Sequence, residues 1–477
     1  MPQTPNQIAA RRSLALSLAG LAALAAACAP APRRGTSVVL VSLDTLRRDH
    51  VGAYRPAGES FTPNLDRLAA SSVVFEDSYV TIPFTLPSHL TMFTGLYPEV
   101  HRVFKKELRL SESAPTLPEL LSAAGYRTVG LVSIEWMDGR FGFARGFDHY
   151  ERIGYDLTYS ERLNRRLFGL LDAPLSRLRF DTRPLFLFLH YIDPHSDFFA
   201  IGANRLPYYA RSDYLERIGV DPDTREFCTA GGECASDFLV AANRERRPLE
   251  PRQVDAIAAL YRGGVEYLDH DLGELFAGLE ARGLLEDALV VVTSDHGEEL
   301  REHGEFIHNQ PYVENMAAPL LIRLPGGAHG GTRRRGLVDS ADLLPTILDL
   351  LGLEVPAHVQ GESLVPLIED GRPVRPWTLG RSKLTPSRYA LRTPEHTLIH
   401  DLETGISELY DPAADPGELR DLGAAHPEQV AELVATLTRA LRQSRGLAPR
   451  FRPAPVTGPG VLTGEQIERL RALGYLE

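Results

Sequence analysis

Four apolar runs rich in β-branched residues, at 36–43, 127–133, 185–190 and 288–293, punctuate the chain, and none alternates with polar positions. Unbroken runs of this length mark strands buried on both faces, as in a parallel sheet. The segments between them carry helical signals. Thr62-Pro63 and Thr116-Leu117-Pro118 put a capping residue and a first-turn proline at helix starts, and Gly125 supplies a stop. Ile257, Leu260, Tyr261, Val265, Leu268, Leu272, Leu275, Phe276 and Leu279 recur at helical spacing and form one apolar stripe, which predicts core packing. This alternation predicts an α/β fold, with a large mixed, mostly parallel sheet flanked by helices.

The pattern lapses twice. From about 200 to 251 the chain is polar, Gly-bearing and Arg-rich, which reads as an insertion that is either a functional lid or disordered decoration. Beyond 372 the runs become short and alternating, at 388–392, 396–400 and 407–409, and a helical stretch follows at 428–441. A smaller C-terminal antiparallel sheet plus helix is predicted there. Residues 446–459 are rich in Pro and Gly, as a linker is, and Thr463-Gly464-Glu465-Gln466 is a capping-box pattern that opens a last short helix. The predicted division is a leader at 1–28, a main domain at 36–371 with its insertion, a subdomain at 372–445, and a linker with a terminal helix at 446–477.

Composition sharpens this picture in three places. With 477 residues, 43% hydrophobic and 24% charged, the chain can bury a sizeable core. A formal net charge of -12 argues against a nucleic-acid partner, so an anionic ligand must be caught by a local site. Arg11-Arg12 precedes an apolar stretch that ends in Ala25-Ala26-Ala27-Cys28, the basic, apolar, small-residue order of an export signal. The last four residues resemble a bacterial lipoprotein cleavage box, with its usual Leu displaced to Leu24. Cys28 would then carry lipid and anchor the protein to the membrane at the periplasm. Cleavage without lipid is the alternative, and the stretch is short for a retained span. Cys228 and Cys234 are the remaining cysteines; export favours a disulfide between them, and no second Cys or His pair accompanies them to suggest zinc.

Asp44 follows the first apolar run, and Asp295-His296 follows the fourth. Ligands in open α/β sheets collect outside the carboxyl ends of strands, so these groups can converge. Two carboxylates and an imidazole imply a divalent metal ion. With the Thr85 hydroxyl they would make an oxygen-rich shell with one nitrogen, suited to Ca²⁺, Mn²⁺ or Mg²⁺, with Zn²⁺ also open. One ion is expected. A two-metal site would have to draw on Asp193, His303, His308, His396 and His400.

Thr85-Leu86-Pro87-Ser88-His89, closed by Thr94-Gly95, resembles the active-site signature of the sulfatase family of the alkaline-phosphatase superfamily. In that family a Cys or Ser at the first position is oxidised to formylglycine, and Pro, Ser and Arg follow. The blocks 38–54, 62–68, 85–101, 187–195, 265–309 and 337–367 are also similar to the family, as is the tail at 470–476. The resemblance implies an alkaline-phosphatase-like sheet, Asp44, Asp295, His296 and Thr85 around the metal, and Thr85 as nucleophile at a helix start. It also implies His195 and His308 as catalytic partners, and His89, Lys105 and Lys106 as substrate contacts. For the two lysines, solvated surface cations are the plainer reading.

Two departures accompany the Thr: Thr45 stands where a second Asp is common, and His89 replaces the Arg. A formylglycine hydrate expels its ester through its second hydroxyl, whereas a Thr ester has to be cleaved by external water. A phosphoester permits that attack at phosphorus, so phosphodiesters or phosphonates are favoured on chemical grounds and sulfate esters stay open. A metal-dependent hydrolase of sulfuric or phosphoric esters is therefore expected, acting on a small-molecule, glycan or lipid anion. The alternatives are a transferase that passes a phospho group to envelope lipid or glycan, and a lipid-anchored binding protein without turnover.

Overall fold

The computed structural model describes residues 35–456 apart from 57, 155–158, 173–180 and 197–204. The expected leader with Cys28 and the expected terminal helix lie outside these residues. The main sheet has eight strands: β1 (Val38–Leu43), β2 (Val73–Phe75), β3 (Arg127–Val132), β4 (His149–Arg152), β5 (Leu185–Tyr191), β6 (Leu289–Thr293), β7 (Leu320–Arg323) and β8 (Arg333–Arg334). Their order is β8-β2-β7-β6-β1-β5-β3-β4. The four runs read from sequence are its contiguous centre, β6-β1-β5-β3, paired in parallel. Every residue of β1, β5 and β6 is buried, which is why those runs do not alternate. The strands missed are short or partly exposed: β2 has three residues, β8 has two, and β4 is not buried. β7 runs antiparallel to both neighbours and makes the sheet mixed.

Register sets the site. Ser42 of β1 pairs with Thr293 of β6 on one side and with His190 of β5 on the other. Asp44 and Asp295 each lie two residues past those partners, so parallel pairing brings both carboxylates out at the same edge. Helix α1 (Thr85–Thr94) packs there with all of its residues buried, and Gly95 ends it in the left-handed conformation at φ 63°. Helix α2 (Pro251–Glu280) buries every residue of the predicted stripe except Phe276, which is half-buried.

Two expectations change. The described part of the insertion, 205–250, is folded rather than irregular: it holds helices Ser212–Ile218 and Ser236–Arg244, and it buries Tyr208, Phe227 and Phe238. Cys228 and Cys234 are disulfide-bonded within it. Its helices are too short to show a clear period in sequence. The expected linker after 446 is also ordered as far as 456. Phe451 is buried there, and Ala454–Pro455 pairs antiparallel with Leu108–Arg109. One buried aromatic and a backbone pairing suffice for this strap, and neither leaves a hydrophobic pattern. Among the described residues no helix is long and apolar enough to cross a membrane.

The smaller sheet is antiparallel: β9 (Thr378–Arg381), β10 (Arg388–Arg392), β11 (Thr397–Asp401) and β12 (Ser407–Tyr410), in that order. Helix α3 (Pro427–Leu447) covers it by packing Leu433, Leu437 and Leu441 into the cluster of Leu391, Leu398 and Leu409. The two bodies are joined by charge as well as by packing. Arg375 is buried and donates to Asp339 Oδ2 at 2.6 Å, to the Tyr97 hydroxyl at 2.9 Å and to Asp342. Removing one partner of a buried ionic group strands the others, at a cost of about 3–5 kcal/mol. Arg375→Ala is therefore expected to lower the midpoint of urea unfolding by a corresponding amount. An unchanged midpoint would show that the junction does not depend on this cation.

Candidate active site

The floor of the site is a group of polar atoms with no partner of their own. Asp44, Asp295 and His296 are all 0% exposed. Asp44 Oδ1 and Oδ2, Asp295 Oδ2 and His296 Nε2 nevertheless make no hydrogen bond. They face one another: His296 Nε2 lies 3.8 Å from Asp44 Oδ1 and 3.5 Å from Asp295 Oδ2. The His296 ring is oriented by Nδ1, which donates to the Gly297 carbonyl at 3.0 Å and leaves the Nε2 lone pair directed at the carboxylates. Burial drives both carboxyls well above the ordinary range. The Glu298 charge adds to this at Asp44, and the Asp44 charge adds to it at Asp295. Buried acceptors are normally satisfied, so this convergence fits a divalent cation.

The backbone is held in costly conformations around these groups. Thr45 sits at φ 57° directly after Asp44, and Ile307 at φ 70° directly before His308. Both are β-branched, for which the left-handed region is unfavourable. Tyr261 of α2 braces the first: its hydroxyl donates to the Thr45 carbonyl at 2.7 Å and accepts from Arg47 N at 3.0 Å. Gly297 is required by contact, because a Cβ there would meet the Glu314 carbonyl at 1.9 Å.

Thr85 is the first residue of α1 and is buried. Phe84, at the cap position, offers no side-chain acceptor, so the first-turn N–H groups stay available to an anion. The helix is pinned to the loop that carries Asp295 and His296 by Ser88, whose hydroxyl donates to the Asp295 carbonyl at 2.7 Å. His89 does not fill the expected substrate-contact role. Its Nδ1 donates to the Thr85 carbonyl at 2.8 Å, and its Nε2 bonds the Ser42 hydroxyl at 2.8 Å. Both nitrogens are engaged inside the protein, so the ring braces the first turn of α1 at Thr85 instead. Burial, and then the neighbouring His190, hold its pKa well below the ordinary value, so it is neutral.

His195 and His308 lie side by side, with ring centroids 5.1 Å apart, and His308 lies 4.3 Å from the His296 ring. Burial lowers the His195 pKa to about 4. His308 Nδ1 bonds Glu298 Oε2 at 2.7 Å, and Tyr208 donates to Glu298 Oε1 at 2.8 Å. The two candidate lysines separate. Lys105 is exposed, whereas Lys106 is buried with its ammonium 4.4 Å from the Trp136 ring centroid and 3.7 Å from Glu135. Trp136 in turn packs edge-on against Phe84, so Lys106 is linked through these rings to the residue before Thr85.

Four participants were not read from sequence. Glu298 stands two residues after His296 and was legible as a carboxylate in the same loop. Tyr208 comes from the insertion, whose contacts have no sequence pattern. Lys383 follows β9, places its ammonium 5.3 Å from the Phe84 ring centroid and acts electrostatically on Asp44 and His195. His190 shares the run that holds β5, and its Nε2 lies 3.3 Å from Asp44 Oδ2.

Of the residues considered for a second metal, Asp193, His303 and His400 are engaged elsewhere. Asp193 is hydrogen-bonded to Ser160, and His400 Nδ1 to the Ser407 hydroxyl. His303 stands near Glu299 and Glu314, but both of its nitrogens are donors, to Glu314 Oε1 at 2.7 Å and to the Glu418 carbonyl at 2.8 Å. No lone pair is left for a metal.

Comparison with known proteins identifies the family. The sulfatase family model matches residues 36–353, and the model for N-sulphoglucosamine sulphohydrolase, C-terminal, matches 301–446. The chain belongs to the sulfatase family of the alkaline-phosphatase superfamily and is a sulfatase-like ester hydrolase. It is 27% identical over 409 residues to the multifunctional alkaline phosphatase superfamily protein PehA of Trinickia caryophylli, covering 71% of this chain and 78% of that one. The phosphonate monoester hydrolase of Silicibacter pomeroyi has the same fold, with a TM-score of 0.65 and 22% identity over 86% of this chain and 96% of that one. A protein solved in complex with its substrate D-glucosamine-2-N,6-O-disulfate superposes with a TM-score of 0.68 and 21% identity, covering 87% and 99%.

The His303 link between the loop after β6 and the C-terminal subdomain has a pH signature. Burial pulls its pKa down, but the bond to Glu314 and that carboxylate's charge outweigh burial and push it up to about 9. A folded value above the ordinary 6.5 means that the stabilisation is fully present below about pH 6.5 and is lost as pH rises through about 9. The melting temperature of the wild type is expected to decline across that window, and His303→Gln is expected to lack that part of the decline. Parallel pH profiles for the two proteins would remove the charged state of His303.

Proposed function

We propose that the protein is a metal-dependent hydrolase of phosphoric or phosphonic esters, with sulfate esters as the secondary class, and that Thr85 is its nucleophile. The observation that carries this is a threonine at an uncapped helix start, braced by Ser88 and His89 against buried carboxylates that lack partners. A cation held by Asp44, Asp295, His296 and the Thr85 oxygen would supply charge neutralisation and lower the pKa of the Thr85 hydroxyl. The Thr85 oxygen attacks phosphorus, the bond from phosphorus to the alcohol oxygen breaks, and the hydroxyl proton passes to solvent. His195 delivers a proton to the departing alcohol. It is neutral in the resting site because of burial, and an anionic ester beside it raises its pKa into a useful range. Water then attacks the same phosphorus, which restores the Thr85 hydroxyl and releases the acid. His308, held by Glu298, and the cations Lys106 and Lys383 face the anion and favour its binding. The phosphonate monoester hydrolase with the same fold is consistent with this chemistry.

Thr85→Ala is expected to lower kcat/KM by about 10³-fold or more on the preferred ester, with circular dichroism unchanged. The assay is a metal-screened panel of aryl phosphate, phosphodiester, phosphonate monoester and aryl sulfate, and undiminished turnover by the variant would exclude the Thr85 ester. Adding an alcohol acceptor to the same panel separates hydrolysis from transfer. For His195→Ala the expected loss is about 10²-fold on alkyl leaving groups and much smaller on nitrophenyl ones, which depart without a proton. Equal losses on both would assign His195 to binding.

We also propose that the protein is exported to a bacterial periplasm and anchored through lipid on Cys28. The basic-apolar-Cys leader supports this, and so does the Cys228–Cys234 disulfide. Cys28→Ala is expected to move the protein from the membrane fraction to the soluble periplasmic fraction, and retention in the membrane would refute the anchor.

A further inference from the structure

His190 is 0% exposed on β5, level with Ser42 in the sheet. Ser133 fixes the protonation of its ring. The Ser133 hydroxyl has one proton, which it gives to the His190 carbonyl at 2.8 Å, so at the ring it accepts from Nδ1–H. The Nε2 lone pair is thereby left on the opposite side of the ring. Nε2 has no hydrogen-bond partner, although Asp44 Oδ2 is only 3.3 Å away and has none either. Two buried polar atoms that sit side by side without bonding are directed at a common point. A nitrogen of the His190 ring also lies within 4.8 Å of an Asp295 carboxylate oxygen.

His296 shows the same arrangement from the other side. Its Nδ1 is satisfied by backbone, and its unpartnered Nε2 lies 3.5 Å and 3.8 Å from the same two carboxylates. Donors at roughly 2.0–2.2 Å around one small cation stand about 3.3–3.6 Å apart in tetrahedral arrangement, which these separations approach. His89 is the third imidazole at this level, and it is disqualified because both of its nitrogens are engaged.

We propose that His190 is a direct metal ligand through Nε2, so that the site holds two imidazoles and two carboxylates besides the Thr85 oxygen. This rests on the metal site of Asp44, Asp295 and His296 proposed above and specifies its ion. Two nitrogen donors select a borderline transition ion such as Zn²⁺, Fe²⁺ or Mn²⁺ over Ca²⁺ and Mg²⁺, which prefer all-oxygen shells. The single-nitrogen shell expected from sequence is thereby replaced by one with two nitrogens. Ser133 becomes a positioning residue that fixes the tautomer of a ligand.

The test uses the full chain loaded with one equivalent of Zn²⁺ and with Co²⁺ in parallel. X-ray absorption at the zinc edge is expected to show two imidazole scatterers in the wild type and one in His190→Asn, with a matching change in the Co²⁺ visible spectrum. By competition titration, His190→Asn is expected to weaken Zn²⁺ binding by about 100-fold and to leave Ca²⁺ binding nearly unchanged, while Ser133→Ala weakens Zn²⁺ by about 10-fold. Melting curves of the apo-proteins check that both variants fold, and the wild-type scatterer count needs no variant. A wild-type site with one imidazole, or tighter binding of Ca²⁺ than of Zn²⁺, overturns the role of His190 while leaving the metal site intact. Failure of the wild type to bind any divalent ion overturns both.

Discussion

The structure is organised around an electrostatic demand: two carboxylates are buried face to face with imidazole lone pairs turned toward them, and among the described residues no cation is hydrogen-bonded to them. Burying one unpaired carboxylate is costly, and burying two within reach of each other is more so. A divalent cation held between them, as proposed, would offset that cost. The sheet supplies the geometry, since the parallel register of β1, β5 and β6 fixes where Asp44, His190 and Asp295 emerge. Helix α1 supplies Thr85, the proposed nucleophile, and is tied down at Ser88 and His89.

Backbone strain follows the same logic. Thr45 and Ile307 are β-branched residues in the left-handed region, and each is adjacent to a site residue. Strain of this kind persists where the surroundings over-determine it. At Thr45 the bracing comes from Tyr261, which the sequence pattern assigned to the core stripe of α2. That assignment is correct for its ring and incomplete for its hydroxyl, which holds the turn after Asp44. The insertion behaves similarly, because Tyr208 reaches Glu298 and through it orients His308. Distant segments thus set the orientation of a few atoms.

What was legible in the sequence followed from burial and periodicity. The central strands were plain because burial on both faces removes polar positions, and the strand ends pointed to Asp44, Asp295 and His296. Edge strands of two or three residues carry no period, and the strap at 454–455 is held by backbone atoms that every residue shares. His190 was hidden for a different reason. Inside an apolar strand a lone His reads as a satisfied core residue, and only the register with Ser42 and the bond to Ser133 distinguish a directed lone pair from a packed ring. Lys106 and Lys105 were equivalent in sequence; the cation–π contact with Trp136 separates them.

The two departures from the sulfatase signature make sense together. Replacing a metal-binding Asp with Thr45 removes a negative charge from the site, and replacing the Arg after the nucleophile with a neutral His89 removes a positive one. Either change alone would leave the buried site out of balance by a full charge, and at low dielectric that is a severe penalty. Made together they preserve the balance while changing the character of the centre. The guanidinium that would have faced the nucleophile gives way to a ring that holds the Thr85 carbonyl and Ser42. In the proposed reaction, charge stabilisation of the ester would thereby shift away from an adjacent arginine, toward the bound cation, the helix N–H donors and the cations Lys106 and Lys383 on the Phe84 side. A threonine nucleophile relies most on such a centre, because its covalent ester has no internal means of expulsion and must stay open to water at the reacting atom.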